Sequence, residues 1–413
     1  MTAPDRIAAL DVLRGCAVLG ILWMNITAFA LPEPAYFNPA VSGHLGAGDV
    51  AWWAVGFVLV DGKMRALFSM LFGASMLLLI DREEMAGRDG ARTHRIRMVW
   101  LFAIGLAHGI LLWWGDILAA YALLSLLALP FAGREPVALV KVAFLFFLLH
   151  FLVCALFVGS LIAWSHGVNA AGADMTARAA FDSFVAPYRD ADAPSVLREV
   201  AALRGDYGDV LGRNLARYPG QWLWSLAFMA FDTVGFMLLG MAMLKSGFLT
   251  GRWAPELYLR TARHCFLIGL PPMIGLATWI VWQGFPPVTT VGAGMAWSFP
   301  FRIPLAVGWA ALLLWLFTLG GREKFARRLA AVGRLALSNY IFSSAVMTGL
   351  FYGWGLGLFG HVRPALLPWF VIAGWALILL WSPWWDRRFA TGPLEWMWRS
   401  LARAEMQKIR RSS

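Results

Sequence analysis

The sequence predicts an all-α fold: a polytopic transmembrane helical bundle of about ten spans, with a small helical insertion on the outer side. Three observations predict it. Of the 413 residues, 60% are hydrophobic and only 14% charged. A soluble domain carries roughly 25% charged residues and cannot expose so much apolar surface. The apolar runs are long and lack the alternation of a membrane barrel, and lipid offers backbone groups no partner, so the runs must be helices. The basic residues gather in alternate connections, the signature of a fixed orientation in the bilayer.

A helix needs about 20 apolar residues to cross a hydrocarbon core about 30 Å thick. Crossings are therefore expected at 12–31, 51–80, 97–114, 117–131, 138–164, 222–248, 264–283, 300–320, 335–358 and 367–386. The second run is interrupted by Asp61-Gly62-Lys63-Met64-Arg65, which reads either as a bent helix or as a re-entrant segment followed by a span. The first run ends at Leu31-Pro32-Glu33-Pro34 with no small-residue cleavage site and should remain as an anchor.

The chain divides accordingly. An N-terminal bundle of five spans covers 1–164, an outer helical region 165–221, and a second bundle of five spans 222–386. A basic tail follows at 387–413, in which Gly392-Pro393-Leu394-Glu395 starts a surface helix with an i,i+4 pair of Glu395 and Arg399. The outer region reads as short amphipathic helices, either a lid over a cavity or a solvated connector. Of the 35 Lys and Arg residues, 25 fall on the side that holds both ends (Arg6, Arg322 and Arg411 among them), whereas the connections 32–50 and 284–299 hold none. Both ends are therefore expected inside.

The net charge of +11 sits in short loops, which fits anionic headgroups rather than nucleic acid. The three cysteines, Cys16, Cys154 and Cys265, have neither disulfide nor metal-ligand spacing, so no metal is expected. The doublets Trp52-Trp53, Trp113-Trp114 and Trp384-Trp385 read as interfacial belts.

Ionisable groups inside spans cost about 2.5–3.5 kcal/mol each on insertion scales, so they mark candidate sites. Asp232 lies near the middle of the sixth run, with Lys63 or Arg65 as its expected partner. His108 precedes Asp116 across the turn Trp113-Trp114-Gly115-Asp116. A histidine beside a carboxylate can be a base held in one tautomer, and Asp116 also suits the N-cap of the next helix. His150 reads as structural. Asp11 and Arg14 can meet on one face of the first helix, and Asn25 interrupts its apolar surface.

These residues belong to a pattern that resembles the YeiB-like bacterial membrane proteins of undefined function. The matching segments run from Arg6-Ile7 through Leu10-Asp11-Val12-Leu13-Arg14-Gly15 to Asn25, then Asp61-Gly62-Lys63 and Leu67-Phe68-Ser69-Met70-Leu71-Phe72-Gly73. Gly105-Leu106-Ala107-His108, Gly115-Asp116-Ile117-Leu118, Leu337-Ser338-Asn339-Tyr340 and Gly392-Pro393-Leu394-Glu395-Trp396 continue it across nearly the whole chain. Ser338 stands where the family usually carries Thr, and a Gln expected near Ser343 is absent. Through Asp11-x-x-Arg14-Gly15 the family looks similar to transmembrane acyltransferases of the heparan-glucosaminide acetyltransferase type. That resemblance implies transfer of an acyl group from a cytoplasmic coenzyme A thioester to a sugar or lipid acceptor on the far side. His44 stands in the loop where those enzymes carry their histidine, without the surrounding motif.

The implied site is catalytic at Asn25, His108, Asp116 and Asp232, with Asp11, Arg14, Arg95, Arg97 and Asn339 toward the acyl-coenzyme A donor. Its expected setting is a bacterial inner membrane, as a monomer or a homodimer. The competing expectation is a transporter or flippase built on Asp232 and the broken second helix, since interrupted helices mark binding sites in transporters. A non-catalytic partner in envelope assembly is the third.

Overall fold

The structure, a computed structural model, describes residues 8–319 and 323–410, so Arg6, Ile7, Arg322 and Arg411 lie outside the described residues. The described chain is helical, as the apolar runs require. Helices α1 (Ala8–Ala30), α2 (Ala47–Val55), α3 (Lys63–Met85), α4 (Gly90–Leu111), α5 (Leu118–Ala128) and α6 (Pro136–Asn169) form the first half. Then come α7 (Met175–Val185) and α8 (Pro194–Arg204), followed by the long α9 (Tyr207–Lys245). The second half holds α10 (Pro255–Trp282), α11 (Pro287–Gly292), α12 (Phe299–Thr318), α13 (Glu323–Arg334), α14 (Ala336–Phe351), α15 (Leu367–Arg388) and α16 (Pro393–Arg403).

Every expected run is a helix, but fewer pass as spans by length and composition. Seven do, and eight if α13 and α14, bent by 82° at their junction, count as one. The helix α4 carries Arg92, Arg95 and Arg97 in its first turns, and α5 has only 11 residues before a short 3-10 turn. The chain is thus a multi-pass membrane protein, with about ten spans as the upper reading of its apolar runs.

Two close crossings hold the bundle. On α3 and α9, a Cβ at Gly73 would run into the Met237 carbonyl, and one at Gly240 into that of Met70. On α1 and α13, Gly15 and Gly333 face the Leu329 and Asp11 carbonyls in the same way. Small residues let backbones approach where lipid provides no hydrophobic drive, so dispersion does the work. Near the second crossing, Arg14 donates to Asp11 at 2.9 Å and to Ser75 at 2.8 Å, while Arg334 pairs with Asp386 and approaches Asp11 at 3.8 Å.

The region between α6 and α9 is tied down rather than suspended. Asp174 caps α7, and Asp206 with Asp209 makes a reciprocal cap at the start of α9, which then runs unbroken into the membrane. Glu199 of α8 pairs with Arg213 at 2.7 Å, and Arg217 pairs with Glu33 in the loop after α1. Both arginines lie over the Trp114 ring, at 5.8 and 4.4 Å. Asn38 donates to the Tyr188 carbonyl at 2.9 Å, so this region packs directly on the loop after α1.

At the other end, α16 begins with Pro393 at its first turn as expected. Its Glu395 turns to the start of α14, where Leu337 N–H and Ser338 N–H donate to Oε1 at 2.8 and 3.2 Å and the Ser338 hydroxyl donates to Oε2. These are orphan donors of a helix N-terminus, and a buried carboxylate satisfies them. Burial raises the Glu395 carboxyl above the ordinary glutamate value, and the hydrogen bonds from Ser338 and the backbone offset that only in part. The folded protein therefore holds this proton to higher pH than the unfolded chain. Its contribution to stability falls as pH rises from the unfolded value through the folded one. We expect Glu395→Ala to cost about 1–3 kcal/mol through the stranded N–H groups. Glu395→Gln should cost less and flatten the acid-side slope of Tm against pH, as thermal unfolding of the solubilised protein would measure.

Candidate functional site

The break in the second run builds the site. Between α2 and α3 the helix passes through a π-helical turn, Gly56–Val60, and Gly62 sits at φ 72°, a left-handed conformation that costs glycine least. The freed carbonyls find side-chain donors: Lys63 Nζ donates to Phe57 O at 2.6 Å, and Trp309 Nε1 to Leu59 O at 2.9 Å. A second π-helical turn, Ala293–Trp297, precedes α12. Such turns recur at functional sites because they redirect side chains within a continuous helix.

Both turns wall a cavity of about 300 Å³. It is lined by Tyr36 and Phe37 of the loop after α1, Thr290 of α11 and Pro364 before α15. Its interior presents Asp61, Arg65, His150, Cys154, Asp232 and Arg302. Arg65 engages both carboxylate oxygens of Asp232 and donates to Thr233 Oγ1 at 2.9 Å. Arg302 donates to Asp61 at 3.1 Å and to Gly294 O at 2.5 Å, and Tyr36 donates its hydroxyl to the same Asp61. Burial and the Asp61 carboxylate beside it hold the Tyr36 hydroxyl well above its usual value, so it remains a donor. His150 Nε2 stands 3.6 Å from Cys154 Sγ one turn further along α6. Two guanidinium groups thus face two carboxylates, and one Arg302 hydrogen-bond donor, Nε, is buried without a partner among the described residues.

A second cavity of about 330 Å³ lies between α1, α3, α12, α13 and α15, and its walls are almost wholly apolar. Trp23 and Val60 line both cavities.

The expected site residues separate into four places. Asp232 meets Arg65, one of its two expected partners, inside the polar cavity. His108 Nδ1 and Asp116 Oδ1 meet at 2.9 Å as expected, and Asp116 also caps α5 through Ala119 N–H at 2.9 Å. That pair is buried against Tyr340, its rings 5.1 Å apart, and lines neither cavity. Asn25 is half-buried on α1, with Met24 and Thr27 beside it on the cavity wall.

The residues expected to face an acyl donor line neither cavity. Asp11 and Arg14 are joined to each other, Arg97 stacks on Trp398 at 4.1 Å, and Arg95 is exposed. Asn339 is fully buried and spends its amide on Val332 O, Ser382 and Trp381, binding α13, α14 and α15 together. His44 is exposed.

Sequence reading missed Arg302 and Tyr36, and did not place His150, read as structural, on a cavity wall. Arg302 could have been found, since it is a lone charge at the start of an apolar run. The tryptophan doublets need correction. Trp52 and Trp53 line the polar cavity, and Trp113 and Trp114 are buried, because the adjoining helices enclose them. Trp384 is exposed as a belt residue should be, under Arg388.

The Arg65–Asp232 pair makes a stability prediction. Asp232→Ala or Arg65→Met alone leaves a buried unpaired charge and should cost about 3–5 kcal/mol, whereas the double change Asp232→Leu with Arg65→Met should be close to neutral. Thermal unfolding of the three solubilised variants checks it, through a strongly non-additive order of Tm values.

Residues 243–405 match the family profile described as "Protein of unknown function (DUF418)". The chain is 33% identical over 408 residues to the uncharacterized protein YeiB of Escherichia coli (strain K12), covering 96% of each. It is 28% identical to the uncharacterized protein YxaH of Bacillus subtilis (strain 168), over 98% of this chain and 96% of that one. An uncharacterized 39.9 kDa protein from the amylase 3' region of Bacillus acidopullulyticus is 25% identical over 96% of this chain and 94% of its own. No solved structure matches. With identity at that level sustained from end to end, this chain belongs to the YeiB-like family of multi-pass membrane proteins.

Proposed function

We propose that this protein is a bacterial inner-membrane acyltransferase, with both ends cytoplasmic, that delivers an acyl group from a thioester donor to a polar acceptor seated in the charged cavity. The observation that carries the reading is the presence of His150, Arg65 and Arg302 on the walls of one cavity. Acyl transfer needs a base for the acceptor proton and a cation for the oxyanion, in a site poor in water. Two of the connections that line the cavity, 32–50 and 284–299, hold no Lys or Arg, which supports an opening on the outer side.

In this reading an acceptor hydroxyl or amine gives its proton to His150 as its heteroatom bonds to the acyl carbonyl carbon. The guanidinium of Arg302 faces the developing oxyanion. The C–S bond then breaks, and the departing thiolate takes the proton back from the imidazolium. Asp232 and Asp61 hold the two arginines in place, and the His108–Asp116 pair acts at one remove by fixing α4 to α5.

Purified full-length protein in lipid nanodiscs, given labelled acyl-coenzyme A, should show slow hydrolysis or acyl transfer. His150→Ala should lower turnover by about 10²–10⁴-fold, the usual share of a general base. Equal loss with His108→Ala and none with His150→Ala would move the reacting centre to the buried pair. Absence of hydrolysis, acyl-enzyme and saturable binding together would remove the enzyme reading. A second reading, a carrier for a polar solute, is favoured by the two π-helical turns flanking a buried ion pair. It requires Asp232→Asn to abolish solute movement in proteoliposomes that show no acyl turnover.

A further inference from the structure

Where α16 closes on the first turns of α4, one cation is left over. Arg97 lays its guanidinium on the Trp398 ring at 4.1 Å, and Trp398 Nε1–H donates back to Arg97 O at 2.7 Å. The stack is therefore held from both sides. Arg65, Arg302 and Arg334 each meet a carboxylate, on Asp232, Asp61 and Asp386. Arg97 meets none among the described residues. Its Nε is enclosed without an acceptor. The two terminal nitrogens also lack one, and they stand at the open side of a half-buried residue.

The neighbours enlarge the surplus. Arg399 and Arg403, one turn apart on α16, repel Arg97, and Glu83 is the acid that attracts it. Glu83 is already shared, by Arg88 at 2.5 Å and Arg403 at 3.4 Å. An aromatic face eases the burial of a guanidinium but leaves its charge in place. Arginines gathered in this way call for an anion, and their planar fork matches the oxygens of a phosphate.

The adjoining surface says what carries that phosphate. Helix α4 bears an exposed apolar stripe of Ile96, Val99, Trp100, Ala103, Ala107 and Leu111, at helical spacing. Exposed Arg92 and Arg95 head the same stripe. In a multi-pass protein such a face meets acyl chains. A phosphate at its charged end, continuous with hydrocarbon along it, is a phospholipid headgroup. An ammonium headgroup would bring one more cation to the cluster, so the lipid that fits carries net negative charge.

We propose that the junction of α4 and α16 binds an anionic phospholipid, its phosphate held by Arg97 and Arg403 and its chains laid along the α4 stripe. The site lines neither cavity and needs no acyl transfer.

Native mass spectrometry of the delipidated full chain in detergent micelles tests it by resolving each bound lipid. Dioleoyl-phosphatidylglycerol should fill a tight site ahead of weaker ones, and dioleoyl-phosphatidylethanolamine should not. Arg97→Gln should weaken the tight site about 10–100-fold, the range for one hydrogen bond to a charged group. Arg328→Gln on α13 makes the same charge change away from α16 and should leave the site intact. Arg403→Gln, at the exposed end of α16, should weaken it by a smaller factor and serves if the Arg97 variant fails to fold.

Equal weakening by Arg97→Gln and Arg328→Gln would mean general charge attraction only and would overturn the proposal. Equal binding of the two lipids would do so too. Displacement of phosphatidylglycerol by coenzyme A, lost in Arg97→Gln, would assign the site to a soluble phosphate and also overturn it. Acyl turnover is a separate readout, so an inactive protein with a tight phosphatidylglycerol site keeps this inference and removes only the enzyme reading.

Discussion

The Arg65–Asp232 pair is the constraint on which the rest of the structure hangs. A lone carboxylate or guanidinium at that depth would be untenable, so the two must arrive together and stay together. Their union fixes the depth and rotation of α3 against α9, which brings Gly73 and Gly240 to the places where backbones can touch. It also anchors the start of α3 just after the break, so that Asp61 and Lys63 are held where Arg302 and the Phe57 carbonyl can receive them. The cavity is the space these obligations leave open. A hydrophobic replacement could serve the packing, but it would present no charge to the cavity.

Much of this was legible in the residues. The apolar runs gave the helices because lipid admits few alternatives. Asp232 was conspicuous as a mid-span carboxylate, and Arg65 was among the few cations that could reach it. Asp11 with Arg14 and His108 with Asp116 could be read because each pair is close in sequence, and local spacing on a helix or across a tight turn determines who meets whom. The span count was harder. Apolar runs alone cannot distinguish a full crossing from helices such as α4 and α5, which lean on α9 and its neighbours to compensate for charge and shortness.

The cavity itself was not legible, since five distant segments wall it and none announces the others. Trp52 and Trp53 fit an interfacial belt by position, and only their stacking on Trp23 and Phe57 places them inside. His150 has its closest polar contact one turn away, and only the fold shows that it lines the same space as Asp232 on another helix. Asn339 shows the converse. It stands within a segment that resembles the family, and its amide hydrogen-bonds across three helices, a role that only the fold displays.

The π-helical turn at Gly56–Val60 has a consequence for how such chains can change over time. A turn of this kind holds one more residue than the α-helical turn it replaces, so it behaves as an insertion absorbed at the end of α2, just ahead of the break at Asp61 and Gly62. Removing one residue there would restore ordinary pitch and swing α2 by about 100° relative to α3, because a helix advances 3.6 residues per turn. Trp52 and Trp53 would then face a different neighbour, while Arg65 and everything beyond it stayed in place. The segment thus acts as an adjustable joint in the lineage. Length changes within it would reshape the wall of the cavity without disturbing its charges, whereas length changes after Lys63 would tear the ion pair apart.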